Sequence, residues 1–149
     1  MATLERAIEI AARAHAGQVD KAGAPYILHP LRVMLAVRSP EARMAAVLHD
    51  VVEDSKGAVT LEQLRAEGFA AVVVEAVEGL TKRPSEKNDY EAFIRRLAPN
   101  ALAREVKLAD LRDNLDLTRI AEPTEKDRAR LEKYKKAIVY LEAVQAGRE

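Results

Sequence analysis

Apolar side chains recur along most of the chain at the three- and four-residue spacing of an α-helix. Near the start, Leu4, Ile8 and Ala11 follow this spacing, and His15 continues the same stripe. Thr3 is a suitable N-cap residue, so the pattern predicts a first helix over residues 3–16. Because His15 lies on the apolar stripe, we expect it to have a structural role.

Proline, glycine and capping residues divide the rest of the chain into further helices. Proline favours the first turn of a helix and disfavours helical backbone in the preceding residue, so His29-Pro30 and Ser39-Pro40 are predicted helix starts. Thr60 and Gln63 have the spacing of a capping box. The predicted helices cover residues 3–16, a segment from residue 29, and residues 39–54, 60–68, 69–79, 89–97, 101–117 and 124–146, with a loop over 17–28.

The valine-rich segment 69–77 is the one place where a strand competes with a helix, and no partner strand is evident elsewhere. Only 4% of the residues are aromatic, which also weighs against a sheet. A chain of 149 residues has the usual length of one domain. We therefore predict an all-α fold, a single-domain helical bundle over residues 1–149.

Charge and composition exclude several classes of protein. The 24 basic residues balance the 24 acidic ones, so a general nucleic-acid binder is not expected. The absence of cysteine excludes disulfides and thiolate metal sites. No apolar run approaches the roughly 20 residues of a membrane span, and no secretory signal is evident. A cytoplasmic protein is expected, and a homo-oligomer is left open.

The segment His49–Asp54 combines a histidine and three acidic residues with valines. On the predicted continuous helix, the polar side chains occupy an arc of about 140°. Adjacent acids usually mark a solvated face, but each close pair repels by roughly 4 kcal/mol at an effective dielectric near 20. A divalent cation would remove this repulsion, so the segment is a candidate metal site. Its polar residues are His49, Asp50, Glu53 and Asp54.

A second polar cluster lies on the predicted helix 101–117. Lys107, Asp110 and Asn114 share one helical stripe and can reach one small ligand. His29 supplies another imidazole at a helix start. Two histidines and two aspartates would form a nitrogen and oxygen site with open positions, which favours a hydrolytic metal such as manganese. The candidate ligands are His29, His49, Asp50 and Asp110.

Five motifs occur in a fixed order between residues 14 and 114. Together they resemble the hydrolase half of the Rel/Spo alarmone enzymes of the HD superfamily, and in particular its single-domain small alarmone hydrolases. Nothing in the chain resembles the synthetase half. The motifs are Ala14-His15-Ala16-Gly17-Gln18, Gly23-Ala24-Pro25-Tyr26-Ile27-Leu28-His29-Pro30, Leu48-His49-Asp50-Val51-Val52-Glu53-Asp54, Glu78-Gly79-Leu80-Thr81-Lys82, and Val106-Lys107-Leu108-Ala109-Asp110 with Asn114.

The resemblance implies a reaction and a role for each matching residue. The reaction removes the 3′-pyrophosphate from guanosine tetra- or pentaphosphate and leaves GDP or GTP. Glu53 and Asp54 match the acidic pair that positions and activates the attacking water, and Asn114 matches an amide near the metal and the substrate ribose. The implied ligands of one Mn²⁺ ion are His29, His49, Asp50 and Asp110.

Other side chains are candidates for binding the nucleotide. Lys21, Lys82 and Lys107 could neutralise phosphate charge. Tyr134 could stack on a base, or it could pack against the protein. The basic residues of the predicted last helix alternate with acidic ones, which favours a solvated surface there.

Two positions depart from the pattern of the family. Asp20 and Asp116 are acidic where related enzymes often have arginine, and this change bears on the guanine assignment. An adenine alarmone, or another nucleotide with a 2′- or 3′-phosphate, is an alternative substrate. A non-catalytic module that binds alarmones is a second alternative, which the retained Glu53 and Asp54 disfavour.

Overall fold

The computed structural model describes residues 1–116 and 120–147. Within these residues the chain is helical and contains no strand, apart from an isolated bridge between Val19 and Pro25. The all-α prediction is therefore confirmed for the described part of the chain. The helices are α1 (Leu4–Ala14), α2 (Leu28–Ala36), α3 (Pro40–Leu48), α4 (Val51–Asp54), α5 (Leu61–Ala66), α6 (Ala71–Gly79), α7 (Tyr90–Leu97), α8 (Ala101–Asn114) and α9 (Glu125–Gln145), with a 3₁₀ turn over Pro84–Glu86.

Local capping interactions set the starts of several helices. The side-chain oxygens of Thr3 and Ser39 each accept a backbone N–H at 3.1 Å, three residues along the chain. Thr60 and Gln63 form the reciprocal bonds of a capping box, at 2.8 and 3.1 Å. Thr124 caps α9 with a similar box. The predicted starts of these four helices are confirmed because each depends on residues close in sequence.

Two further helix predictions have different outcomes. The valine-rich segment is helical, as α6, and three of its valines are buried in the core. Helix α8 ends at Asn114, with Leu115 as its C-cap residue, and is shorter than the predicted helix 101–117. The predicted end at Leu117 lies outside the described residues.

Helix α3 lies at the centre of the fold and packs against α1, α2, α6 and α8. Ala42, Ala45 and Ala46 have no exposed surface, and their small side chains let the neighbouring helices approach closely. Val47 and Leu48 are also fully buried. Helix α9 covers one side of this core by packing on α8 and α7. None of the described helices is long and apolar enough to cross a lipid bilayer.

The chain turns sharply at His49 and Asp50, where the prediction of one helix over residues 39–54 is wrong. In a continuous helix the Ala46 carbonyl would accept the backbone N–H of Asp50. Here it accepts the His49 backbone N–H at 3.3 Å and the His49 Nδ1–H at 2.7 Å. Asp50 adopts φ −125° and ψ 11°, and α4 begins at the next residue. The predicted 140° arc of polar side chains on one helix is therefore replaced by two short helices that meet at the turn.

Candidate metal centre

Three helical regions bring two imidazoles and a carboxylate together in the interior. His29 comes from the first turn of α2, His49 from the turn between α3 and α4, and Asp110 from α8. His29 Nε2 lies 2.7 Å from Asp110 Oδ1, and His49 Nε2 lies 3.4 Å from the same oxygen. Each residue offers one donor atom, and the three atoms lie within 4.8 Å of one another. All three residues are at most 5% exposed.

Hydrogen bonds at the opposite ring nitrogens orient both imidazoles. His49 Nδ1–H donates to the Ala46 carbonyl at 2.7 Å, and His29 Nδ1–H donates to Asp113 Oδ2 at 2.6 Å. In a neutral imidazole this arrangement leaves the lone pair on Nε2, the nitrogen that faces Asp110 in both rings. The two rings are thus held in the tautomer that can bind a metal.

Asp50 lies beside this group but is held by other partners. Its Oδ2 is 3.6 Å from His49 Nε2 and accepts a hydrogen bond from the Tyr26 hydroxyl. Its Oδ1 lies 3.1 Å from His15 Nε2. Asp50 also forms a second, adjacent donor group with His15 and Asp54. The four predicted ligands therefore lie together in one cavity, with three in one group and Asp50 between the two groups.

The negative charges around the imidazoles favour a positive charge between them. Burial opposes protonation of His49, but the charges of Asp50 and Asp110 outweigh it and raise the pKa of His49 to about 9. Burial likewise opposes protonation of His29, and its hydrogen bonds to Asp110 and Asp113 raise its pKa overall. A divalent cation would satisfy the same negative charge as these protons. The donor set and its electrostatics therefore fit a metal ion.

Helix α4 places the predicted catalytic acids at the edge of the same cavity, which has a volume of about 260 Å³. Glu53 Oε1 accepts the backbone N–H of Lys82 at 2.9 Å. Burial, followed by the charges of Asp50 and Glu53, raises the pKa of Asp54 to about 6. The cavity lining also includes His29, His49, Asp110, Lys82, Lys107, Asn114 and Tyr134.

Lys107 and Asn114 both contact Asp110. Lys107 Nζ lies 2.9 Å from Asp110 Oδ2, and the lysine side chain is only 12% exposed. Asn114 Nδ2–H donates to Asp110 Oδ1 at 3.2 Å. The shared helical stripe predicted for these three residues is therefore present, and Lys107 already has a carboxylate partner.

The predicted nucleotide-binding residues divide between two neighbouring cavities. Lys21 lines a cavity of about 450 Å³ next to the metal centre and does not line the 260 Å³ cavity. Tyr134 and Asn114 line both cavities, as do Tyr26 and His29. The two cavities thus meet along a shared wall.

Both residues that depart from the family pattern also line the 450 Å³ cavity, together with Arg32 and Arg130. Asp20 Oδ1 accepts the backbone N–H groups of Ala22 and Ala24, each at 2.9 Å. The Asp20 carboxylate therefore stabilises the backbone of its own loop, which is a contact that an arginine at this position would not make. Asp116 lies at the same cavity.

The residues that hold the proposed ligands in place were not predicted from the sequence. Asp113 Oδ2 binds His29, and the same carboxylate accepts two hydrogen bonds from Arg32, at 2.8 and 3.1 Å. The three-residue spacing of Asp113 from Asp110 on α8 is a signal that both face α2. Tyr26 lies within a quoted motif, but its contact with Asp50 joins positions 24 residues apart. His15 lies 3.1 Å from Asp50 Oδ1 through its Nε2 atom, and its structural role stays a prediction.

Comparisons with known proteins agree with this geometry. Residues 7–139 match the sequence profile of the HD domain family. A solved metazoan protein, described as an ortholog of SpoT that hydrolyzes ppGpp, superposes with a TM-score of 0.78 at 26% identity. The superposition covers 95% of this chain and 85% of that protein.

Curated bacterial proteins are also similar in sequence. A guanosine-3′,5′-bis(diphosphate) 3′-pyrophosphohydrolase of Aquifex aeolicus is 34% identical over 122 residues, which are 75% of this chain and 17% of the relative. The protein of that name from Haemophilus influenzae is 38% identical over 121 residues, 71% of this chain and 17% of the relative. A GTP pyrophosphokinase of Streptomyces coelicolor is 35% identical over 123 residues, 75% of this chain and 14% of the relative.

The chain thus spans less than a fifth of the length of these curated relatives. The family match, by contrast, covers most of the chain and includes all the residues that line the 260 Å³ cavity. By sequence and by fold, the chain belongs to the HD domain family.

Proposed function

We propose that this chain hydrolyses the 3′-pyrophosphate group of guanosine tetra- and pentaphosphate, yielding GDP or GTP and pyrophosphate, with Mn²⁺ as cofactor. The observation that carries the proposal is the meeting of His29, His49 and Asp110 in one cavity with Glu53 and Asp54. The names of the relatives give the substrate class. We propose that residues 1–149 act as one hydrolase domain, and the cytoplasmic location stays a prediction.

His29, His49, Asp50 and Asp110 are the proposed ligands of the metal. Nitrogen and oxygen donors without thiolate suit manganese among the common hydrolytic metals. When bound, a divalent ion supplies Lewis acidity: it lowers the pKa of water and offsets phosphate charge. Asp113 and Ala46 keep the Nε2 atoms of the two histidines directed at this ion.

Glu53 and Asp54 are the proposed water-handling residues. The Glu53 side chain is fixed by the backbone N–H of Lys82, so it can orient a water molecule at the cavity edge. In the reaction the water oxygen bonds to the phosphorus next to the ribose while the bond from that phosphorus to the 3′ oxygen breaks. Asp54 takes the proton of the water, the 3′ oxygen gains a proton, and pyrophosphate is released.

The 450 Å³ cavity is the proposed place for the nucleoside. Asn114 lies on the wall shared with the metal centre, where the ribose would lie, and Tyr134 offers a ring for a base. Lys21 supplies a positive charge at this cavity. The acidic residues Asp20 and Asp116 keep an adenine alarmone, or another nucleotide with a 2′- or 3′-phosphate, as the second candidate substrate.

A metal-controlled assay on a panel of substrates tests the proposal. The protein is stripped with a chelator, supplied with Mn²⁺, Mg²⁺ or Zn²⁺, and mixed with guanosine or adenosine 5′-diphosphate 3′-diphosphate. We expect equal amounts of GDP and pyrophosphate in Mn²⁺ and at least about 100-fold less turnover in Asp110→Asn. Glu75→Gln, an exposed acid on α6, is the matched control and is expected to retain full activity.

Each alternative predicts a different result in this assay. Faster turnover of the adenosine compound would mean that the preferred substrate is an adenine alarmone. Tight nucleotide binding without turnover in any of the metals would favour the non-catalytic module and overturn the hydrolase.

A further inference from the structure

Three lysine ammonium groups surround the ring of Tyr90 next to the metal centre. Lys133 Nζ lies 4.6 Å from the ring centroid, Lys82 Nζ lies 5.6 Å from it, and Lys107 Nζ lies 5.7 Å from it. The lysines come from α9, from the connection after α6, and from α8, so distant parts of the chain place three positive charges at one point. Like charges repel, so this arrangement calls for an anion.

Among the described residues, one of these three lysines has a carboxylate partner. Lys107 pairs with Asp110 at 2.9 Å, whereas Lys82 and Lys133 form no ion pair among the described residues. Partial burial and the nearby positive charges of Lys82 and other basic groups lower the pKa of Lys133. Lys133 is exposed on α9, as predicted for a solvated basic helix, and its ammonium group lies over the ring of Tyr90.

Tyr90 adds a polar group in need of a partner. Its Oη is buried and makes no hydrogen bond of standard geometry among the described residues, although the Lys107 ammonium lies close enough to interact with it electrostatically. A buried hydroxyl without a partner is costly, and it can donate to a ligand oxygen. Tyr90 and Lys82 line both the 260 Å³ cavity of the metal centre and a third cavity of about 660 Å³.

The 660 Å³ cavity has an excess of positive charge. Its basic residues outnumber its two acids, and both acids are already engaged: Asp89 accepts the Ala92 backbone N–H at 3.1 Å, and Glu91 pairs with Arg95 at 2.7 Å. Its basic lining residues are Lys82, Lys87, Arg95, Lys133 and Lys136. A multiply charged anion at the metal centre would therefore find further cations on this side.

We propose that Lys82, Lys133 and Tyr90 bind the terminal phosphoryl group of the substrate's 3′-diphosphate, the one that water does not attack. This inference rests on the proposed function and deepens it by assigning the residues that would select a 3′-diphosphate. Binding of the terminal phosphoryl group holds the reacting phosphorus at the metal centre, so a 3′-diphosphate is cleaved in preference to a 3′-monophosphate.

The test compares two substrates that differ by one phosphoryl group. Guanosine 5′-diphosphate 3′-diphosphate and guanosine 5′-diphosphate 3′-monophosphate are assayed with the Mn²⁺-loaded wild type and with Lys133→Ala. We expect the variant to lower kcat/KM about 10-fold for the diphosphate, the scale of one charge-assisted hydrogen bond, and less than about 2-fold for the monophosphate. Lys133→Arg is expected to restore most of the loss.

Lys135→Ala is the matched control, because Lys135 lies on the same helix and pairs with Glu132 at 3.5 Å. Lys135→Ala is expected to leave kcat/KM unchanged for both substrates. If Lys133→Ala lowers kcat/KM equally for both substrates, or for neither, the inference is overturned and the hydrolase proposal stays intact. Absence of turnover in the wild type would instead contradict the hydrolase.

A binding measurement keeps the inference testable without turnover. Calorimetry on the Mn²⁺-loaded protein measures the Kd values of inorganic pyrophosphate and orthophosphate. We expect Lys133→Ala to raise the Kd of pyrophosphate about 10-fold and to leave that of orthophosphate unchanged. An unchanged Kd of pyrophosphate would overturn the assignment of these residues.

Discussion

Two charged clusters share one cavity wall and are built in opposite ways. In the acidic cluster of His29, His49, Asp50 and Asp110, buried imidazoles and carboxylates contact one another at 2.7–3.6 Å. In the lysine cluster of Lys82, Lys107 and Lys133, two of three ammonium groups have no carboxylate partner among the described residues. This contrast supports our two proposals, that a cation completes the first cluster and that an anion completes the second.

The clusters also differ in how firmly their atoms are held. The acidic cluster lies on α2, on α8 and in the buried turn between α3 and α4, and its histidines are fixed by further hydrogen bonds. Lys133 is exposed on α9, and its long side chain reaches the ring of Tyr90, which lines both the 660 Å³ cavity and the 260 Å³ cavity. Substitutions in the acidic cluster should therefore have larger effects than substitutions in the lysine cluster.

Asp54→Asn should produce the largest change, because it removes the proton acceptor and leaves the ligands in place. We expect kcat to fall by about 10²–10⁴-fold with little change in metal affinity. Near-normal turnover in this variant would show that Asp54 is not the proton acceptor. The two clusters would then differ only in the charge of the ligand that each one binds.

Asp54→Asn should lower activity but raise the stability of the metal-free protein. The pKa of Asp54 is raised to about 6 in the fold, so its charged form opposes folding above that pH. The unfolded carboxyl has an ordinary pKa of 3.8, so the cost shrinks as the pH falls through 6 and disappears below about pH 3, where the carboxyl is neutral in both states. After discounting for partial exposure, we expect metal-free Asp54→Asn to be about 1 kcal/mol more stable at pH 7 and unchanged at about pH 3. Urea unfolding in chelator at both pH values measures this difference.

Asp113→Ala should have an intermediate effect, because Asp113 holds a ligand without touching the proposed ion. Loss of such an outer partner lowers metal affinity by about 10–100-fold. A competition titration against a chelator measures the affinity, with the exposed Glu105→Gln on the same helix as control. An unchanged affinity would show that the packing of His29, and not its bond to Asp113, sets the ring orientation.

Of these substitutions, Tyr90→Phe should have the smallest effect. It tests whether the hydroxyl in the lysine cluster is unsatisfied until a ligand binds. Removal of a buried hydroxyl that makes no hydrogen bond of standard geometry among the described residues is expected to stabilise the ligand-free protein by about 1 kcal/mol. Tyr140→Phe on α9 serves as the comparison and should leave the free energy of unfolding unchanged. Destabilisation of Tyr90→Phe would mean that the hydroxyl already has a partner in the folded protein.

The features that sequence could predict depend on residues close together in the chain. The capping box of Thr60 and Gln63 is one example, and the start of α3 at Ser39 is another. The motif order also predicted which residues line one cavity, including Asp110, which lies 81 positions from His29. This long-range proximity was predicted from the resemblance to a family, because local sequence patterns do not report contacts between distant residues.

The features that escaped prediction depend on contacts between distant residues. Periodicity favoured a continuous helix through His49, but the His49 side chain takes the Ala46 carbonyl, and Asp50 is bound by His15 and Tyr26. Asp113 looks like an ordinary surface acid in the sequence until the fold places α2 against α8. The competition between backbone and side chain for one carbonyl cannot be read from residue spacing.

The turn at His49 also determines where the chain tolerates insertions and deletions. One added residue within α3 would rotate the following positions by roughly 100° and direct the His49 ring away from Asp110. The loop after α4 already adopts left-handed backbone, with φ 55° at Lys56 and 87° at Gly57, and contributes no ligand. Length variants of the domain should therefore keep α3 at fixed length and differ in the segment 55–60.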